Sequence, residues 1–173
     1  MDRVIWKISV AGIRESGKTS LISRIVYGND GSSGPSKAIF RKRLNLERNN
    51  NKIIADLLLQ EINDNTDAEK LLPSSNLILV TADILSRDCL LYASDVIKYA
   101  KNFERNPPIV LVGTKTDLRY EAELWIEDFE KLAKKLNVPF QLVSAKNGDG
   151  IEELLDQVVD LLLERFYAKK QSL

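Results

Sequence analysis

The chain has 173 residues, 44% apolar and 29% charged, with 25 Lys and Arg against 25 Asp and Glu. A neutral chain of this length can bury a core, and it lacks the basic excess of a dedicated nucleic-acid binder. It contains no His and one Cys, Cys89, which excludes imidazole chemistry, an internal disulfide framework and a cysteine-based zinc site.

Residues 4–10 read as a strand rich in β-branched residues, ending at Ala11-Gly12 in a glycine-bounded turn. Leu21, Ile22, Ile25 and Val26 then repeat at helical spacing. Residues 28–36, Gly-Asn-Asp-Gly-Ser-Ser-Gly-Pro-Ser, read as loop. Phe40, Lys42, Leu44 and Leu46 fall on one face of a strand, with Arg41, Arg43 and Asn45 on the other. Residues 47–52 form a hairpin turn, because Asn tolerates positive φ, and 53–62 return as a strand. Residues 63–75 are polar with Pro73 inside, which predicts a loop with little room for helix.

Residues 77–82 read as a buried strand and 88–101 as a helix using Leu91, Val96, Ile97 and Ala100. Pro107-Pro108 introduces a strand at 109–112. Leu124, Phe129, Leu132, Ala133 and Leu136 mark a helix, 140–143 a strand, and Ile151, Leu154, Leu155, Val158, Leu162 and Phe166 a long amphipathic helix. Continuous apolar strands separated by helices predict an α/β fold whose mostly parallel sheet carries helices on both faces. No linker, repeat or low-complexity block interrupts the chain, so 1–173 is expected to be a single domain. No apolar run approaches the roughly 18 residues of a membrane span. The N-terminus has no signal-peptide apolar region, and the C-terminal residues offer no prenylatable Cys. An intracellular, cytoplasmic protein with no membrane anchor visible in this chain is expected.

Gly12-Ile13-Arg14-Glu15-Ser16-Gly17-Lys18-Thr19 fits G-x-x-x-x-G-K-[ST] in full, between a strand and a helix. Gly12 and Gly17 let the backbone curl so that successive N–H groups, those of Glu15, Ser16 and Ser20 among them, point at phosphate oxygens. The helix N-terminus adds partial positive charge. Lys18 reaches the β- and γ-phosphates as a point charge, and Thr19 offers a hydroxyl to Mg²⁺.

The base is read from two later stretches. In Thr114-Lys115-Thr116-Asp117-Leu118, the Asp117 carboxylate can accept two hydrogen bonds from guanine N1–H and the N2 amino group, an edge adenine lacks. Lys115 can lay its aliphatic stem over the ring. Ser144-Ala145-Lys146 follows the next strand, where a backbone N–H can reach the guanine oxygen.

With these residues in order, the chain resembles a Ras-like small GTPase over essentially its whole length. The resemblance implies a P-loop NTPase fold: a six-stranded, mostly parallel sheet with one antiparallel edge strand, residues 40–46, and nucleotide across the strands' C-terminal ends. It implies GTP or GDP as ligand, Mg²⁺ as cofactor, a signalling role and a protein effector or regulator as partner, with no nucleic acid. Thr114 stands where the family most often has Asn.

The switch elements depart from the family pattern. Between Ser20 and Asn65 there is no Thr to bind Mg²⁺ and sense the γ-phosphate; Ser36 is the stand-in, with Ser32 or Ser33 as alternatives. The Asp-x-x-Gly motif is expected at Asn63-Asp64-Asn65-Thr66, without its Gly and with Asp67 at the water-orienting Gln. Asp64 is placed to supply the acidic function from one position away. Arg14 is either a cationic stabiliser of transition-state charge or a surface residue paired with Glu15 or Asp64. The degenerate switch after Leu57-Leu58-Leu59-Gln60-Glu61 is also similar to the GTPase domains of mitochondrial Rho proteins. Two functions follow: slow GTP hydrolysis, or a pseudo-GTPase interaction module that binds nucleotide structurally. An ATP-using enzyme is opposed by Asp117.

Overall fold

A computed structural model of the chain describes residues 1–30 and 39–171. Its strands are β1 (Asp2–Gly12), β2 (Ile39–Arg48), β3 (Asn51–Glu61), β4 (Leu77–Asp83), β5 (Ile109–Thr114) and β6 (Phe140–Leu142). Its helices are α1 (Lys18–Tyr27), α2 (Asn65–Leu71), α3 (Arg87–Ala100), α4 (Ile126–Leu136) and α5 (Ile151–Gln171). The six strands form one sheet in the order β2-β3-β1-β4-β5-β6. Only β2 runs antiparallel, against β3.

The sheet divides the core in two. On one face Trp6, Ile8 and Val10 of β1 pack against Leu21 and Ile22 of α1 and Leu154, Val158 and Leu162 of α5. On the other face Ile78 and Val80 of β4 and Leu111 of β5 pack against Ala93 and Ile97 of α3 and Phe129 of α4. β4 and β5 are buried along their whole length, as strands covered on both faces must be. The β2–β3 turn is only two residues long: Asn49 and Asn50 have φ 51° and 64°, the left-handed pair of a tight hairpin turn.

Residues 63–75 correct the expected loop. α2 forms there, followed by a short 3₁₀ turn at Leu72–Ser74. Asp64 caps α2, its carboxylate accepting from Asp67 N at 2.7 Å. Pro73 sits in the first turn of the 3₁₀ segment, where no backbone N–H is needed, and so does not bar the helix before it. Leu72, 1% exposed, anchors the segment in the core.

Because β1, β3, β4, β5 and β6 are parallel, the connections leaving them gather at one edge of the sheet. That edge is where open α/β sheets place ligands.

Candidate functional site

β1 ends at Gly12, and the chain curls through residues 13–17 before α1 starts at Lys18. The curl requires both glycines. At Gly12, φ 152°, a Cβ would lie 2.2 Å from Thr81 Oγ1; at Gly17, φ 97°, a Cβ would crowd Thr114 Oγ1 at 3.2 Å. Glu15 also adopts a left-handed conformation, φ 66°. Ser16 and Thr81 share a hydroxyl hydrogen bond of 2.7 Å that pins the loop to β4. The Lys18 side chain folds into the curl, donating to the carbonyls of Gly12 (3.0 Å) and Ile13 (3.1 Å). Lys18 is 6% exposed, and this burial lowers its pKa from the ordinary lysine value, an effect that the nearby Glu61 carboxylate opposes.

A basin of about 600 Å³ opens in front of this loop, lined among others by Arg14, Lys18, Thr19, Glu61 and Lys115. Thr19 Oγ1 donates to Glu61 Oε1 at 2.5 Å, so a hydroxyl and a carboxylate meet at the basin wall. Glu61 was absent from the residues expected here. Of the motif expected at 63–66, Asn63 lines the same basin as Thr19, whereas Asp64 caps α2 and Asp67 Oδ2 accepts from Asn63 N at 3.4 Å. Arg14 makes no ion pair among the described residues, with Glu15, Asp64 or any other partner. Ser36, with its alternatives Ser32 and Ser33, lies outside the described residues.

A second pocket of about 130 Å³ adjoins the basin through Gly17, Ser20 and Lys115, and is lined further by Thr114, Asp117, Ala145 and Lys146. The loop after β5 is bonded straight onto the phosphate loop. Thr114 Oγ1 donates to Ser16 O at 2.5 Å and Lys115 Nζ to Glu15 O at 2.7 Å. Asp83, at the end of β4, holds the Lys115 ammonium from the other side at 3.5 Å. Ser144 Oγ donates to Asp117 Oδ1 at 2.9 Å, leaving Oδ2 without a partner among the described residues. Leu118 and Ser144 brace this region and do not line the pocket; Leu118 N donates to Lys115 O at 2.9 Å.

Arg24 is the second residue that sequence reasoning missed. From α1 it donates to Ala145 O and Lys146 O, each at 2.6 Å, and to Gly28 O at 2.7 Å. The guanidinium thus ties the loop after β6 to the helix that begins at the phosphate loop. No pattern marks such a contact in sequence, because its partners are carbonyls 121 and 122 positions away.

The family model described as "Ras family" matches residues 7–164, which include every element of this cleft. Among curated proteins, the Ras-related protein Rab-27A of Rattus norvegicus is 37% identical over 60 residues, 35% of this chain and 27% of that protein. Rab-27A of Canis lupus familiaris is 38% identical over 60 residues, with the same shares. Rab-27B of Bos taurus is 33% identical over 66 residues, 38% of this chain and 30% of that protein. The matched stretch is therefore less than a third of each relative's length.

Proposed function

The chain belongs to the Ras family, and we propose that it binds guanine nucleotide and hydrolyses GTP slowly with Mg²⁺, residues 1–173 acting as one domain. One observation carries the reading. The Thr114–Ser16 and Lys115–Glu15 bonds join the phosphate loop to the base loop, so a phosphate cradle and an Asp acceptor open into connected pockets. A molecule with phosphates at one end and a guanine edge at the other has the matching chemistry.

Each side chain then has a role. Backbone N–H groups of residues 13–20 and the Lys18 ammonium receive the phosphates. Asp117, steadied by Ser144, accepts from guanine N1–H and N2. The aliphatic stem of Lys115 covers the ring, and Ala145 and Lys146 border the base pocket. The Thr19 hydroxyl and the Glu61 carboxylate are hard oxygen donors that fit Mg²⁺, which takes few protein ligands and shares the rest with phosphate and water. Mg²⁺ held by these two residues would supply positive charge against the phosphate oxygens. Arg14, at the basin wall, adds a cation on the same side.

Slow turnover follows from the segment after β3. Neither Gly nor Gln occurs among residues 62–67, and α2 already begins at Asn65. The test is single-turnover hydrolysis of GTP with Mg²⁺, with ATP as competitor. Preference for GTP and a rate at or below about 10⁻⁴ s⁻¹, the scale of an unassisted Ras-type site, is expected. Equal binding of ATP would overturn the assignment.

The Asp64 cap favours a second reading, a pseudo-GTPase module, because it commits the segment after β3 to a helix rather than to a glycine turn facing phosphate. The nucleotide retained through purification separates the two: GDP supports turnover, GTP a structural ligand. A protein effector or regulator is the partner proposed, in an intracellular setting. Among the described residues no helix is long and apolar enough to cross a membrane.

A further inference from the structure

β4 and β5 stay paired to their ends: Asp83 stands opposite Thr114, and Ile84 N donates to Thr114 O at 3.2 Å. The register sets the Asp83 carboxylate beside Lys115, although Asp83 lines neither the basin nor the base pocket.

Both oxygens of Asp83 are engaged. Oδ1 accepts from Leu85 N at 2.9 Å, and Oδ2 accepts from Cys89 Sγ at 3.3 Å. Oδ2 also faces the Lys115 ammonium at 3.5 Å, the one ion pair of Asp83 among the described residues. The two donors come from the turn after β4 and the first turn of α3, so the carboxylate is fixed on the body of the fold. Lys115 is the movable partner: its side chain is 33% exposed, against 9% for Asp83. Its other contact, Glu15 O at 2.7 Å, is a neutral acceptor on the phosphate loop.

A lysine stem is flexible, and its ammonium turns to water unless something holds it. A carboxylate that is itself fixed gives the stem one direction. A ligand that meets a stem already in place binds without the cost of ordering it. We infer that Asp83 is a positioning residue for the nucleotide: acting through Lys115, it holds the stem in the pose that covers the guanine ring and ties the phosphate loop at Glu15. The inference rests on the guanine reading above. It is distinct from the hydrogen bond by which Asp83 closes the turn at Leu85.

The test is a double-mutant cycle, read by the release of mant-GDP from the full chain with Mg²⁺. Asp83→Asn keeps an oxygen for Leu85 N and removes the charge. Release should quicken about ten-fold, the order of one charge-assisted contact. Lys115→Met should quicken release too, and adding Asp83→Asn to it should change the rate by less than about two-fold. Cys89→Ser, which keeps a donor to Oδ2, should release at the parent rate. Asp83→Ser, whose hydroxyl also accepts from Leu85 N, should match the Asn variant and takes its place if that variant does not fold. Unchanged release in Asp83→Asn, or additive losses in the double variant, would overturn the proposal and leave Asp83 to the turn alone. A parent chain that binds no mant-GDP would overturn the guanine reading, and the proposal with it.

Discussion

Thr19, in the first turn of α1, gives its hydroxyl hydrogen to Glu61 Oε1 at the end of β3, 2.5 Å away. The bond makes Glu61 the carboxylate that faces the phosphate loop. Asp64, three residues on, faces its own helix. Glu61→Gln should therefore raise the Mg²⁺ concentration needed to retain nucleotide by at least about ten-fold, through loss of a charged ligand. Asp64→Ala should leave that requirement unchanged and lower the unfolding free energy by about 1 kcal/mol, the worth of an N-cap. Nucleotide release followed against Mg²⁺, with urea melts of both variants, checks the pair.

Asp117→Asn should weaken GTP binding and improve binding of xanthine nucleotides, since the amide presents a donor where a carboxylate had accepted. Arg24→Ala acts differently. It frees the carbonyls of Ala145 and Lys146 without touching Asp117, so GDP and GTP should both bind more weakly while the preference over ATP persists. Competition titrations with the three nucleotides separate the two effects.

Lys18→Ala removes a charge-assisted contact worth roughly 1.5–3 kcal/mol, a loss of at least ten-fold in nucleotide affinity. The free chain also carries a pH signature. Burial holds the Lys18 pKa below the ordinary 10.5, so between the two values the unfolded chain binds more protons. Stability should thus rise with pH across the alkaline range up to about 10.5, and Lys18→Met should lack that rise. Urea melts of the two proteins across this range provide the comparison; added GDP, whose phosphates favour the ammonium form, should flatten the wild-type slope.

Asp56, with its side chain 11% exposed, accepts from Arg43 Nε at 2.9 Å and from Arg41 at 2.6 Å. These bonds hold its pKa well below the ordinary 3.8. The stability it contributes is present above that ordinary value and lost as pH falls through the depressed one. Asp56→Asn should therefore be less stable than the parent at neutral pH, and the gap should close as acid is added below pH 3.8. Both guanidinium groups are more than half exposed, so salt should narrow the gap as well.

Much of this was legible in the residues. The strands were readable because β4 and β5 are unbroken apolar runs, and the curl after β1 because Gly12 and Gly17 bound it. The remainder depended on direction and register. Glu61 looked like the end of a strand, and only the packing of β3 beside β1 shows that its side chain meets Thr19. α2 escaped because Pro73 suggested loop, while the deciding residue was the capping Asp64 nine positions earlier. Strand alternation already separated Arg41 and Arg43 from Lys42; the pairing of β2 with β3 is what brings both Arg to Asp56.

The bonds from Thr114 to Ser16 and from Lys115 to Glu15 span 98 and 100 positions of chain. During synthesis, at about 5–20 residues per second, the phosphate loop is made roughly 5–20 s before the residues that wall it in. Through that interval the carbonyls of Glu15, whose backbone is left-handed, and of Ser16 lack these partners. A nascent chain halted after β4 should therefore hold the loop through Ser16 and Thr81 alone, with the Glu15 and Ser16 carbonyls still open, and a nucleotide arriving late in translation would meet a loop that had been waiting for its wall.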